Sequence, residues 1–390
     1  MMPYSLKLEK RLEPSRTAEY LVPVVSIVLA LLFGAVLLLM IGANPWQTYR
    51  AMLEGAFGTP AQWQQGRYFN LIETLVKATP LMLTGLSVAV AFRMRFWNIG
   101  AEGQLVMGGV AAAAVALWIP VFFPGLPESR WLYLPLIIIA SMVAGAIWAL
   151  IPAILKAYLK VDEIITTLMF NYIAILYYQY LFNIAWKDPE GFGFPGSALI
   201  PEFTRLPRMM GRLHWGIIIA IVAAILVWII LDRTRWGYEI RLIGESQTAG
   251  RYAGISLAGS ILLVMFLSGG LAGLAGMSEV TGISFRLQRG LAVGSGFTGI
   301  IVAWLARLNP WGVLLVAFLL ATLFVGGEQI QMTMGLPASV APVLQGAILL
   351  FVLGGSVFTR YRLRLVRSTP PEPPPSETAV DVEEIKPLEG

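Results

Sequence analysis

The chain is divided by one polar stretch, Arg241-Leu-Ile-Gly-Glu-Ser-Gln-Thr-Ala-Gly-Arg-Tyr-Ala-Gly-Ile255, which lies between long apolar runs. The stretch is too polar to lie in hydrocarbon, where every unsatisfied polar group is costly. Helix-compatible residues run from Glu245 to Ala253, and Gly254 provides a C-terminal stop. The sequence therefore predicts a surface helix of about nine residues, roughly 13 Å long, between two membrane spans.

The composition on either side is that of a membrane protein. Of the 390 residues, 57% are hydrophobic and 13% are charged, whereas soluble proteins carry about 25% charged residues. Several apolar runs exceed the ~18 residues that identify a membrane-spanning helix. The predicted fold class is all-α, a polytopic membrane protein with about ten transmembrane helices. The candidate spans are residues 21–43, 71–92, 99–119, 132–155, 163–184, 215–231, 257–279, 292–307, 311–327 and 337–358.

The distribution of basic residues predicts the orientation. With the N-terminus inside, the cytoplasmic segments contain 18 Lys and Arg, and the outer segments contain nine. Lys and Arg concentrate on the cytoplasmic side of membrane proteins, so both termini are expected inside. The outer loop 185–214, with four basic residues, departs from this trend.

This orientation divides the chain into three parts. Residues 1–20 form a basic cytoplasmic arm, and residues 21–358 form the transmembrane domain with the surface helix at 244–255 facing the cytoplasm. Residues 359–390 are expected to be a disordered cytoplasmic tail, because proline-rich and acidic sequence follows the last span.

The residues that are missing exclude several functions. The chain has no cysteine and only one histidine, His214, which excludes disulfides, thiolate nucleophiles and histidine metal clusters. No Gly-Lys pair occurs, so a P-loop is excluded and any ATP hydrolysis must take place on another chain. The net charge of +5 reflects the cytoplasmic basic residues rather than nucleic-acid binding. We therefore predict a transport protein without catalytic residues, metal or cofactor.

Two segments match the G-x-G-x-x-G pattern, Gly191–Gly196 and Gly294–Gly299. Neither follows a strand in a βαβ unit, as dinucleotide binding requires. The second opens a candidate span, where its glycines favour close helix approach or a broken helix end.

Four polar side chains within or beside spans are candidates for a solute pathway: Asn98, Glu102, Gln104 and Asn171. The segment around Glu102 has two interpretations, a broken helix that lines the pathway or a capping cluster in which Glu102 meets Arg93 or Arg95. Aromatic residues follow Asn171, which suits a planar solute, although the later tyrosines also fit an interfacial aromatic belt.

Other acidic residues lie at the predicted outer ends of spans. Glu73 and Lys77 are spaced i, i+4 and are expected to neutralise each other. Glu279 and Glu328 are expected to be solvated. An ion-coupled transporter would need acidic groups near the middle of the membrane, and a membrane enzyme would need a catalytic cluster, so both alternatives are disfavoured.

Several blocks resemble one family. Arg95–Gly109 resembles a signature of the form "FNIGAEGQ", and Val161–Ala174 resembles "NEVISTLMLNYIA". The polar stretch resembles a cytoplasmic loop of the form "VGxNxxAARYAGI", with Ser246 where Asn is frequent, and the segments 270–282 and 294–312 match further blocks. The chain is similar to permease subunits of ABC importers, in the nucleoside (BMP-lipoprotein type) subgroup of the sugar and branched-chain amino acid permease superfamily. Permeases for ribose-like sugars or branched-chain amino acids are the alternatives.

The resemblance implies a type II-like permease in a bacterial or archaeal plasma membrane. It implies a cytoplasmic ABC ATPase subunit, a second and homologous permease subunit in a heterodimer, and an extracytoplasmic solute-binding lipoprotein or periplasmic protein. It also implies that the surface helix is the coupling helix that contacts the ATPase. The residues expected in that contact are Gly244, Glu245, Ala249, Arg251, Ala253, Gly254 and Ile255.

Overall fold

The computed structural model describes residues 4–10, 16–337 and 339–367 and is predominantly helical. In chain order its elements are β1 (Tyr4–Lys10), α1 (Arg16–Met40), α2 (Pro45–Phe57), α3 (Pro60–Gln64), α4 (Phe69–Arg93), α5 (Ala101–Phe122), α6 (Arg130–Leu159), α7 (Glu163–Tyr180), β2 (Arg208–Met210), β3 (Leu213–His214), α8 (Gly216–Arg233), α9 (Arg235–Glu245), α10 (Gln247–Tyr252), α11 (Leu257–Glu279), α12 (Ser295–Leu305), α13 (Pro310–Met334), α14 (Val340–Arg360) and β4 (Tyr361–Arg367). Turns of π-helix extend α7 to Ala185 and α11 to Ser284.

The described residues confirm an α-helical, polytopic membrane fold, but they do not confirm ten spans. Seven of the described helices are long and apolar enough to cross a membrane, namely α4, α5, α6, α7, α8, α11 and α13. An eighth span results if Val24–Met40 and Pro45–Gln64, which meet at 114°, are taken together. The helix α12 has 11 residues, or about 17 Å, whereas the hydrocarbon core is about 30 Å thick.

The chain divides into two compact units, and the first contains residues up to 29 and from 351. In it β1 and β4 pair antiparallel, with Leu6 opposite Leu365 and Leu8 opposite Leu363. Residues 361–367 of the expected disordered tail form β4, and residues 368–390 lie outside the described part, so the disorder of the tail stays a prediction. Leucines alternate with polar residues in both segments, which is the period of a strand.

The second unit, residues 30–350, contains the helical bundle. Glycines allow α5, α6 and α11 to approach closely. A Cβ on Gly273 of α11 would overlap the carbonyl oxygen of Ser141 in α6, and one on Gly276 would overlap that of Leu105 in α5. Small residues at this spacing let helix backbones touch, and the resulting van der Waals packing holds the helices together where hydrocarbon provides no hydrophobic driving force.

Two helices of the bundle begin partway along their neighbours. Asn98, just before α5, bonds to Ser268 at the midpoint of α11. Thr84 Oγ1, past the midpoint of α4, donates to the carbonyl of Ser295, the first residue of α12. Gly294, with φ of +90°, precedes that start. The glycine motif at 294–299 therefore does open a broken helix end, as predicted.

Candidate functional site

A cavity of about 520 Å³ opens at the end of the bundle that the charge distribution predicts to be outside. It follows α4 from Phe69 to Leu81, which is about 18 Å along the helix axis. Its volume lies in the range of small-molecule sites, about 300–1,000 Å³. The polar residues that line it are Asn70, Glu73, Lys77, Arg212, Glu279, Ser295, Thr298, Glu328 and Gln329.

Ion pairs join different elements around this cavity. Glu73 Oε2 lies 2.9 Å from Arg212 Nη1 in the loop between β2 and β3, and Lys77 Nζ lies 3.3 Å from Glu328 Oε1 in α13. The expected pairing of Glu73 with Lys77 is therefore wrong. Both side chains do share one face of α4, but each finds its partner on another element that the fold brings to the same end of the bundle.

The cavity retains acidic groups without a complete set of partners. Glu73 Oε1 is buried and has no hydrogen-bond partner among the described residues. Glu279 forms no salt bridge in the described part of the chain, although Lys77 and Arg212 are close enough to interact with it electrostatically. Glu279 is partly buried, contrary to the expectation that it is simply solvated, whereas Glu328 has 59% of its side chain exposed. These carboxylates can accept hydrogen bonds from a polar solute.

The inner end of the cavity is formed by the start of α12. Ser295 and Thr298 line it, and Glu102 from α5 holds the helix end. Glu102 Oε1 accepts the N–H of Gly294 at 2.7 Å, and Oε2 accepts that of Gly296 at 2.6 Å. A carboxylate is favourable there, because the first N–H groups of a helix have no partners within it.

The contacts of Glu102 differ from the capping cluster with Arg93 or Arg95 that one interpretation predicted, and its place in a solute pathway stays a prediction. Glu102 is 1% exposed and forms no salt bridge with Arg93 or Arg95 among the described residues. Arg93 instead pairs with Asp232 and donates to the carbonyl of Leu308. Glu102 instead caps the start of α12, a helix nearly 200 positions later in the chain, which neither interpretation predicted.

Asn98 and Gln104 form a second buried cluster. Asn98 Nδ2 donates to Gln104 Oε1 at 3.1 Å, and Gln104 Nε2 donates back to Asn98 Oδ1 at 3.0 Å. Asn98 Nδ2 also donates to Ser268 Oγ at 2.9 Å, and Ser268 lies 3.0 Å from Ser87 Oγ. The cluster joins α4, the start of α5 and α11, and its amide groups bond to protein.

Asn171 connects α7 to the same region. Its Oδ1 accepts the N–H of Gly103 at 2.8 Å, and its Nδ2 donates to the carbonyl of Ile99 at 2.8 Å. Asn171 is 1% exposed. Neither it nor Asn98, Glu102 or Gln104 is among the residues that line the outer cavity. Their direct contact with solute stays a prediction, while their observed bonds position the helix starts at the inner end of the cavity.

The tyrosines after Asn171 divide between two environments. Tyr177 and Tyr180 are 46% and 51% exposed, as an interfacial belt would place them. Tyr178 is buried, donates to the carbonyl of Gln288 and accepts the N–H of Leu291 at 3.3 Å. It therefore holds the segment that connects α11 to α12 beside the cavity.

The predicted surface helix at 244–255 is exposed, but its boundaries differ from the prediction. Gly244 and Glu245 end α9, and α10 begins after a break at Ser246. Ser246 Oγ accepts the N–H of Ala249 at 3.2 Å, so this serine caps a new helix rather than continuing the old one. Gly254 has φ of +74°, which confirms the expected C-terminal stop.

The contact residues expected on this segment have different surroundings. Arg251, Ala253 and Gly254 are exposed, whereas Ala249 and Ile255 are partly buried. Gly244 is buried, and a Cβ there would overlap the carbonyl oxygen of Arg93 at the end of α4. The segment is thus anchored to the bundle at Gly244 and presents its later residues at the surface.

His214 lies outside the membrane-spanning helices, in β3. Burial, together with the positive charges of Arg208 and Arg212, lowers the pKa of His214 from 6.5 to about 4. Its Nδ1 accepts the N–H of Gly216 at 3.1 Å. The imidazole is therefore neutral at physiological pH and stabilises the loop that carries Arg212 into the cavity.

Comparisons with known proteins match most of this chain. Residues 70–353 match a family described as the permease component of branched-chain amino acid transport systems. The chain is 36% identical over 86% of its length to the guanosine ABC transporter permease NupP of Bacillus subtilis, covering 94% of that protein. It is 33% identical over 92% of its length to the glucose ABC transporter permease TsgB13 of Haloferax volcanii, covering 94% of it. It is 32% identical over 87% of its length to the nucleoside ABC transporter permease NupB of Lactococcus lactis, covering 92% of it.

Proposed function

The chain belongs to the family of branched-chain amino acid transport permease components, and on that premise we propose that it forms the membrane pathway of an ABC importer for nucleosides. The observation that carries the substrate class is the 36% identity to a guanosine permease over most of both chains. A glucose permease at 33% identity makes a sugar the second candidate. The protein is a multi-pass protein of the plasma membrane, and relatives from bacteria and archaea fit either origin.

The outer cavity suits a neutral, polar solute with an aromatic base. Glu73 and Glu279 supply carboxylate oxygens that can accept from ribose hydroxyl groups, and Phe69 and Phe324 supply aromatic surface in the same cavity. The cavity ends at the start of the short helix α12. Broken helices of this kind surround substrate sites in many transporters, because their ends offer backbone groups to the solute.

ATP hydrolysis belongs to a partner chain, since this chain lacks a P-loop. We infer that α10 and the residues just after it dock in that ATPase. Tyr252, which is 89% exposed, and the neighbouring Arg251 are the most accessible groups for the contact. A solute-binding protein delivers the nucleoside at the outer end, and a second homologous permease chain completes a heterodimer.

The experiment that tests the substrate class is uptake of labelled guanosine, adenosine, ribose and leucine by cells that express the complete importer. We expect uptake of both nucleosides and little uptake of ribose or leucine. Strong ribose uptake without nucleoside uptake would contradict the nucleoside assignment and favour the sugar alternative.

The role of the cavity is tested separately with Glu73→Gln. This change removes the charge that faces Arg212 and turns one acceptor into a donor, so guanosine KM should rise while the chain still reaches the membrane. The matched control is Glu190→Gln, since Glu190 lies in an exposed outer loop. An unchanged KM in Glu73→Gln would show that the solute does not contact this cavity.

Docking of α10 is tested by measuring how much ATPase subunit the Gly254→Arg variant of this chain captures in a pull-down. The positive φ of Gly254 disfavours any side chain, so the substitution should disturb the end of α10 and reduce both capture and uptake. Gly42→Arg is the matched control. Gly42 also has a positive φ, +79°, and open space around it, but it is distant in sequence from α10. Normal capture and uptake in Gly254→Arg would refute the coupling role.

A further inference from the structure

A second cavity, of about 290 Å³, lies at the opposite end of the bundle, where the charge distribution predicts the cytoplasm. It is enclosed by the loop before α5, the end of α6, the start of α7 and the segment from α9 to α11. Its charged and polar lining residues are Arg95, Lys156, Lys160, Glu163, Gln247 and Arg251.

The charge in this cavity is strongly positive. Lys156 Nζ lies 2.5 Å from Glu163 Oε2, so these two groups neutralise each other. Arg95, Lys160 and Arg251 have no salt-bridge partner among the described residues. Three uncompensated cations around one small cavity repel each other and favour an anion.

Apolar side chains complete the lining of the cavity. Met94, Phe96, Ile243 and Leu257 contribute to its lining. Next to the basic residues, several large apolar side chains face outward from the bundle at the end of α6 and the start of α7. They are Tyr158 (64% exposed), Leu159 (67%), Ile164 (40%) and Ile165 (61%). The cavity thus lies where exposed apolar helix surface gives way to cationic surface.

We propose that this cavity binds the phosphate headgroup of an anionic phospholipid from the cytoplasmic leaflet. Basic pockets between transmembrane helices on this side attract anionic headgroups, and arginine can hold a phosphate through two parallel hydrogen bonds. The exposed apolar side chains beside the cavity favour a lipid over an acidic loop of a protein, because acyl chains can cover them while the headgroup is bound.

The proposed lipid would also touch the segment that we expect to dock the ATPase. Gln247 and Arg251 line the cavity from α10, whereas Lys156 and Glu163 line it from the transmembrane helices. A bound headgroup would bridge the two and hold α10 against the bundle. This inference concerns lipid binding by the chain itself and does not require the proposed solute to be correct.

The test measures lipid binding to the purified full-length chain in detergent by native mass spectrometry. Phosphatidylglycerol is titrated beside phosphatidylcholine, and the key variant is Arg95→Asn with Lys160→Asn. Both positions have positive φ, +57° and +56°, which asparagine tolerates better than most residues. We expect phosphatidylglycerol to bind preferentially and its affinity to fall ~30-fold in the double variant, or about 1 kcal/mol for each charge removed.

Two further variants distinguish this site from general surface charge. Arg233→Gln with Arg235→Gln removes two exposed charges at the same end of the bundle but outside the cavity, and should leave lipid affinity unchanged. Arg95→Lys with Lys160→Arg keeps both charges and should retain most of the binding.

Several outcomes would overturn the proposal. These are equal binding of phosphatidylcholine, an equal loss in the Arg233 and Arg235 control, or unchanged lipid affinity in the asparagine variant. Inorganic phosphate that binds as tightly as phosphatidylglycerol would show a site for free anions. Loss of ATPase capture in the asparagine variant, with lipid binding intact, would show that a protein partner occupies the cavity.

Discussion

Replacement of Glu102 by alanine should release the start of α12 and destabilise the whole bundle. The two carboxylate oxygens accept N–H groups of Gly294 and Gly296 at 2.7 and 2.6 Å, and the residue is 1% exposed. A hydrogen bond to a charged group contributes about 1.5–3 kcal/mol. A carboxylate at a partly buried helix start adds up to about 2 kcal/mol.

The net effect is smaller than the sum of these contributions, because burial of the carboxylate has its own cost. We expect Glu102→Ala to lower the free energy of unfolding by about 3 kcal/mol, since it leaves the buried N–H of Gly296 and the partly buried N–H of Gly294 without partners. Glu102→Gln keeps one acceptor oxygen, so we expect it to lower the free energy of unfolding by roughly half as much as Glu102→Ala.

The assay is thermal unfolding of the purified chain in detergent, combined with guanosine uptake by the assembled importer. Glu190→Ala is the matched control, because it removes a carboxylate from an exposed loop. An unchanged unfolding midpoint with a raised KM would show that Glu102 contacts the solute, as the sequence-based prediction held, and would refute its role as a cap of α12.

Three other regions give further predictions. Gly276→Val should prevent folding or membrane accumulation, because a Cβ would overlap the carbonyl oxygen of Leu105, whereas Gly346→Val, in open space, should accumulate normally in an expression assay. His214 should make unfolding pH-dependent: its folded pKa is lowered to about 4 from 6.5, so between these values the unfolded chain takes up a proton that the folded chain does not. The free energy of unfolding should fall as the pH drops through this window, and His214→Gln should reduce that slope in thermal melts; an unchanged slope would contradict the burial. Ser246→Ala should reduce the local stability of α10 by about 1 kcal/mol, because it removes the side-chain cap on the N–H of Ala249. We expect faster amide hydrogen exchange at Ala249 and no change in the global unfolding midpoint.

Much of the fold was predictable because its signals are local. Apolar runs predicted the seven long helices, most of them to within a few residues, although α13 continues to Met334, beyond the predicted end at 327. The glycine motif at 294–299 predicted the broken end that starts α12. The surface position of the segment around α10, and its stop at Gly254, also followed from polarity and a single glycine. The break at Ser246 was missed, although a serine three residues before Ala249 is itself a capping signal.

The candidate site was less predictable because its residues meet through long-range contacts. Glu73 and Lys77 are one turn apart in sequence, and only the packing of α4 beside α13 and the loop after β2 shows that they have other partners. The unusual number of ionisable groups at outer span ends was a usable signal for the cavity. This signal was overlooked because each group was interpreted alone, Glu73 and Lys77 as a local ion pair and Glu279 and Glu328 as solvated carboxylates.

The sequence by itself determined the membrane class and the lack of a P-loop, and it predicted the orientation and the polar segment expected to contact an ATPase. These follow from hydropathy, charge and motif, which act within a few helical turns. Only the tertiary structure assigned Glu102 to Gly294 and Gly296, which are 192 and 194 positions away. No local pattern encodes such a contact, because a buried carboxylate bonds to whichever free N–H groups the packing of helices brings beside it.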